Sequence, residues 1–98
     1  MKSTEIKKAF SILKAIKHPK RILIMAHLKK EPRQQVWLKE RIGGSQPAIA
    51  YHLYELEKIG VVSKEKGRSN NPGVTTFFHL EEEKLERIYD AAHRLAIA

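Results

Sequence analysis

The sequence predicts a mainly α-helical fold with one small β-hairpin, in the order α-α-α-α-β-β-α. Three observations lead there. Before residue 60 there are four separate apolar stretches, and in the first and fourth the apolar side chains recur at three- and four-residue spacing. Two β-prone runs follow, separated by the polar tip GRSNNPG, and helical spacing then returns from residue 81 to the end.

Each element has its own signals. Ile6, Phe10, Leu13 and Ile16 line one side of a first helix from about Thr4 to Ile16, with Lys7, Lys8 and Lys14 on the other side. His18-Pro19 breaks the pattern, because the residue before proline is pushed out of the helical region while proline itself suits a first turn. A second helix runs from Pro19 to about Lys30. Its apolar residues Ile22, Leu23, Met25, Ala26 and Leu28 wrap around more than one side, which predicts a central core helix ended by Glu31-Pro32. A short third helix spans Val36 to Ile42 with Val36, Leu38 and Ile42 as its apolar positions, and it stops at Gly43-Gly44. Ser45 then caps a fourth helix with Pro47 in its first turn. Ile49, Leu53, Leu56 and Ile59 form its inner side, and Gly60 ends it. Val61 to Lys66 and Val74 to Leu80 are the strands of a hairpin. From Glu81 onward Leu85, Ile88, Tyr89, Ala92 and Leu95 mark a last helix whose acidic first turn suits the helix dipole.

Ninety-eight residues and 42% hydrophobic content suit a single domain, residues 1–98, with one modest core. So small a domain has little room for a deep catalytic cleft, which favours binding over catalysis. No Ser-His-Asp spacing, phosphate-cradling glycine loop or paired carboxylates point to an enzyme. The absence of cysteine rules out disulfides and thiolate metal sites. The longest apolar stretch, Ile22 to Leu28, is far too short to span a bilayer, and no signal-peptide layout is visible at the N-terminus, so a cytoplasmic protein without membrane contact is expected.

Charge indicates the partner. Nineteen Lys and Arg against eleven Asp and Glu give a formal charge of +8. The basic residues crowd into residues 1–41 and 58–68, whereas Glu81, Glu82 and Glu83 lie near the far end, so the asymmetry predicts one positive face suited to a polyanion.

Helix, glycine turn and capped helix make a helix-turn-helix, about residues 36–59, and the hairpin at about 61–80 adds a wing. In such a winged helix the second helix of the pair enters the DNA major groove. With Ile49, Leu53 and Leu56 turned inward, Ser45, Gln46, Pro47, Ala50, Tyr51, Tyr54 and Lys58 remain for double-stranded DNA. Gln46 lies at the N-terminal end, where its amide can pair bidentately with adenine, and Tyr51 can meet a phosphate or a thymine methyl. Lys20, Arg21 and Lys39 are candidate flanking cations. In the wing, Lys66, Arg68, Ser69 and Asn70 suit phosphate and minor-groove contact, although any solvated turn would use similar residues.

The stretch SQPAIAYHLYELEKIGVV resembles the recognition helix of arsenic-repressor-type (ArsR-type) winged-helix regulators, and HPKRILIMAHL is similar to their second helix. The order of elements matches over essentially the whole chain. The resemblance implies that Gln46, Pro47, Ala50 and Tyr51 face bases or adjacent phosphates. It pairs Arg21 with the family's second-helix arginine, whereas His18 replaces the aspartate that usually opens that helix. Members that sense thiophilic metals carry Cys-Val-Cys in the third helix; Gln34 and Val36 stand at the corresponding positions, which excludes that mode. Other members bind zinc or nickel on the last helix. Asp90 and His93 supply one half of such a set and no downstream half follows, so no metal or other cofactor is expected. His27 and His79 read as packed or surface residues, and His52 as turned toward the third helix.

Ile6, Phe10, Leu13, Leu85, Ile88, Tyr89, Ala92 and Leu95 leave apolar stripes on the first and last helices (about 4–17 and 81–97) beyond what a three-helix core needs. A symmetric homodimer would cover them, as the resemblance also implies, and would address half-sites roughly 10 bp apart on an inverted repeat. Repression by blocking polymerase is the simplest mechanism. Two other readings stay open: a winged-helix module for protein contacts within a larger assembly, and a metal- or ligand-responsive sensor whose effector the sequence does not name.

Overall fold

The computed structural model describes residues 3–66 and 76–97, with the side chains of residues 3, 92 and 95–97 outside the description. Seven elements follow in the expected order: α1 (Ser3–Ile16), α2 (Pro19–Lys30), α3 (Gln35–Ile42), α4 (Gln46–Lys58), β1 (Val62–Lys66), β2 (Thr76–Leu80) and α5 (Glu82–Ile97).

Local chemistry sets the boundaries. His18 stands in extended backbone before α2 and its Nδ1 accepts a hydrogen bond from the Lys20 backbone N–H at 3.2 Å, so histidine performs the capping task of an aspartate. Between α3 and α4, Gly43 and Gly44 take φ of +89° and +91°, which L-residues rarely adopt. The Gly43 N–H closes α3 on the Lys39 carbonyl at 2.8 Å, and Ser45 Oγ opens α4 by accepting from the Ala48 N–H at 3.2 Å. Gly60, at φ +84°, turns the chain into the hairpin.

The core gathers around α4. Ile49, Leu53 and Leu56 pack with Ile24, Met25 and Leu28 of α2, Leu38 of α3, Ile16 of α1, and Val61, Val62 and Phe78 of the hairpin. Removing such side chains from water contributes about 1.5–3 kcal/mol each, which fixes α4 on the inner edge of its helix.

The second helix differs from the expected all-round core helix. Ile24, not singled out by spacing, is fully buried, whereas Ile22, Leu23 and Ala26 are exposed. Elements cover α2 on one side only, since α3, α4 and β2 pack against it. In α3, Leu38 turns inward as expected but Val36 is exposed, and Trp37 takes its place against the core. Val61 precedes β1 instead of starting it: its N–H donates to the Leu56 carbonyl at 3.1 Å and its carbonyl accepts from the Glu81 N–H at 2.8 Å.

The strands pair antiparallel from Val62 opposite Leu80 to Lys66 opposite Thr76. Arg33 extends this ladder by one residue, donating to the Phe78 carbonyl at 3.1 Å and accepting from its N–H at 2.8 Å. Its guanidinium lies 3.8 Å above the Trp37 ring, so the α2–α3 connection is fastened to the wing root and to α3 at once.

Candidate nucleic-acid interface

With Ile49, Leu53 and Leu56 inside, the opposite edge of α4 is open. Tyr51 and Tyr54 are 56% and 59% exposed, and Ser45 and Pro47 are exposed at the helix start. Ala50 and Gln46 are half-buried. Two large aromatics exposed on one edge leave contact area available at this surface.

The candidate cations divide by environment. Lys66 at the end of β1 is exposed. Lys20 is half-buried and reaches over the glycine turn, where a Cβ added at Gly44 would sit 2.6 Å from its Nζ. Lys39 is half-buried on α3. Lys58 is exposed but held by Glu55 at 2.9 Å; their hydrogen bond pulls the Glu55 carboxyl below its usual pKa and raises that of Lys58.

Arg21 is a correction. Expected among the DNA-facing cations, it is only 8% exposed. Its Nη1 donates to the Ala15 carbonyl at 2.8 Å and its Nε to His52 Nδ1 at 3.1 Å. These bonds join the end of α1, the start of α2 and the middle of α4. Arg21 therefore supports the outer face from behind, with its guanidinium carbon 5.6 Å from the Tyr51 ring centroid. His52 is likewise buried and turned toward α2, not toward α3 as its position suggested, and its ring centroid lies 4.4 Å from that of His18. Burial lowers the His52 pKa, and the electrostatic influence of His18, Arg21 and Lys20 lowers it further.

One residue of the surface was not visible to sequence reasoning. Gln35, at the start of α3, donates from Nε2 to Gln46 Oε1 at 2.8 Å and to the Gln46 carbonyl at 3.3 Å. The two glutamines, with Gln34, Val36, Lys64, Thr76 and Phe78, surround a hollow of about 510 Å³ between the α3–α4 pair and the wing. Nothing in the spacing of Gln35 and Gln46 announces this contact, because it depends on how the glycine turn folds.

The wing-tip candidates Arg68, Ser69 and Asn70 lie outside the described residues, as do the side chains of Ala92 and Leu95. Of the other apolar candidates, Ile6, Phe10 and Tyr89 are exposed, whereas Leu13 is half-buried and Leu85 and Ile88 pack partly against the core. A groove of about 420 Å³ runs between α1 and α5, floored by Ala9, Ile12, Leu13, Ile88 and Ala91.

His27 meets Trp37 edge-on with centroids 5.2 Å apart, and His79 lies 2.6 Å from a Glu65 carboxylate oxygen. Asp90 and His93 are exposed on α5, and among the described residues no group of three or more His, Cys, Asp or Glu is placed to hold a metal ion. Among the same residues no helix is long and apolar enough to cross a membrane.

No protein-family model and no curated protein sequence matches the chain. Solved structures do. An ArsR-like transcriptional regulator from Rhodococcus sp. superposes with a TM-score of 0.76 at 22% identity, covering 94% of this chain and 82% of that one. HlyU from Vibrio cholerae matches at TM-score 0.69 and 28% identity over the whole of both chains. This is the ArsR-type winged-helix fold. The transcriptional repressor BigR from Xylella fastidiosa shares it at TM-score 0.67 and 21% identity, covering 96% of this chain and 89% of its own. The ArsR-type resemblance stated from the helix sequences thus extends to the three-dimensional arrangement, and the ArsR-like protein and BigR are regulators of transcription.

Proposed function

We propose that the chain is a sequence-specific double-stranded DNA-binding regulator of transcription. The observation that carries this reading is the two-sided character of α4: its inner edge is fully buried while Tyr51 and Tyr54 stand exposed beside a cap and glycine turn that set Gln46 at its N-terminus. A helix held this way presents its first turns to a groove as a rigid body. The net charge of +8 supplies phosphate attraction, and the named regulators that share the fold support the same direction.

The regulator acts as a homodimer at an inverted repeat, with Ile6, Phe10 and Tyr89 at the contact between copies, and it represses by occluding polymerase. The exposure of these three side chains on α1 and α5 supports the dimer. Ser45, Pro47, Ala50, Tyr51, Tyr54, Lys58, Lys20, Lys39 and Lys66 form the DNA face with Gln46, while Arg21 acts from within. The test is a random-library duplex selection with the purified chain. A palindromic site, altered by Gln46→Ala and weakened by Tyr51→Ala, is the expected result; absence of duplex affinity at moderate salt would sink the reading and favour a scaffold for protein contacts.

A further inference from the structure

We infer that Gln35 is a specificity-determining positioning residue: it engages the acceptor end of the Gln46 amide, so that Gln46 prefers guanine to adenine. The inference rests on the DNA-reading role proposed for α4.

The terminal group of Gln35 that approaches Gln46 lies 3.3 Å from the Gln46 backbone carbonyl, an obligate acceptor, so it must be the Nε2 donor. The same Nε2 lies 2.8 Å from the Gln46 side chain, so the facing atom there must be the oxygen. A backbone carbonyl therefore fixes the orientation of two side-chain amides in series. One of the two lone pairs of the Gln46 oxygen is engaged toward α3, so the oxygen keeps reduced acceptor capacity while its Nε2 offers two N–H donors to a ligand.

A glutamine whose amide is free to turn pairs bidentately with adenine, accepting from N6–H and donating to N7. That pairing needs oxygen and nitrogen side by side at the base. Guanine presents N7 and O6, two acceptors on one edge, and matches an outward-facing NH2. Adenine presents its own N6 donor against that NH2. The hollow bounded by Gln35, Gln46 and Lys64 leaves space around the pair, so the orientation follows from the hydrogen bonds and not from crowding.

The experiment is duplex selection from a random library with the full chain, comparing wild type, Gln46→Ala, Gln35→Ala and the near-isosteric Gln35→Met. The position losing preference in Gln46→Ala is the one read by Gln46. Wild type is expected to choose guanine there over adenine by roughly fivefold or more, and both Gln35 variants to shift that position alone toward adenine. Circular dichroism and thermal melting establish that the variants are folded, and Gln35→Met retains side-chain bulk where Gln35→Ala loses it. A structural role for Gln35 would lower affinity at all positions alike. Adenine in the wild-type site, or guanine retained in both Gln35 variants, overturns the inference while leaving α4 as the reader. No position altered by Gln46→Ala, or no duplex preference at all, overturns the reading itself and this inference with it.

Discussion

Arg21 Nε donates to His52 Nδ1 across 3.1 Å, and both side chains are buried between α2 and α4. The bond needs the Nδ1 lone pair, so the imidazole is neutral with its proton on Nε2. Protonating Nδ1 would remove the acceptor and set an imidazolium against a guanidinium, with the Lys20 ammonium adding positive charge nearby. The helix that carries Tyr51 and Tyr54 is thus tied to α2 through a base that must stay uncharged.

Stability is expected to depend on pH through this residue. The folded-state pKa of His52 lies below its ordinary value near 6.5, chiefly because of burial. As pH falls below about 6.5 the unfolded chain therefore binds the proton more readily than the folded one, and stability present above that value is lost. Urea midpoints measured from pH 7.5 to 5.5 should drop for wild type. His52→Gln can still accept from Arg21 and cannot titrate, so its drop should be smaller. Equal slopes would remove His52 as the cause.

Core and surface positions of α4 should separate cleanly in denaturation. Leu56 is fully buried and Tyr54, two residues earlier, is more than half exposed. Leu56→Ala removes buried methyl groups and leaves a cavity, costing about 2–5 kcal/mol, whereas Tyr54→Ala should stay within about 0.5 kcal/mol of wild type. A large loss from Tyr54→Ala would mean that its ring packs against something the described residues do not include.

How far the sequence exposed this arrangement depends on the range of each interaction. The cap at Ser45, the glycine turn and the inner edge of α4 are local, set by residues a few places apart, and they were legible. Ile22 and Leu23 are exposed against expectation because the run Ile22–Leu28 is apolar but for His27 and carries no period; packing partners on one side alone select Ile24, Met25 and Leu28. The Arg21–His52 bond joins residues 31 apart, and the Gln35–Gln46 pair turns on the path of two glycines. No local pattern encodes either. Hence Arg21 read as a phosphate-facing cation, although its backbone position gave no sign of which way its head group turns.

Association should yield to a single charge on α1. Phe10 is 66% exposed and contributes nothing to the buried core, so Phe10→Asp should preserve the melting of the folded monomer while preventing two copies from joining. Sedimentation equilibrium over a concentration range reads this directly. Wild type is expected as a dimer and the variant as a monomer with weaker binding to a palindrome. A wild-type monomer at every concentration would remove α1 and α5 as the contact between copies.

The lysines of the DNA face should differ in their effect on salt dependence. Each phosphate contact releases counterions, and losing one changes the slope of log K against log salt by about 0.9. Lys66 is exposed and forms no ion pair among the described residues, so its ammonium is available at no cost to another bond. Lys58 is held at 2.9 Å by Glu55 and must surrender that partner to serve a phosphate. Removing Lys58 also leaves the half-buried Glu55 carboxylate without its cation beside the proposed DNA face. Lys66→Ala should therefore lower the slope by nearly one contact with little change in base preference. Lys58→Ala should lower it less while weakening binding through the freed Glu55, and Lys58→Ala with Glu55→Gln should recover part of that affinity. Titrations of one duplex across potassium chloride concentrations measure all three. If Lys58→Ala reduces the slope as much as Lys66→Ala and Glu55→Gln restores nothing, the ion pair on α4 does not compete with DNA.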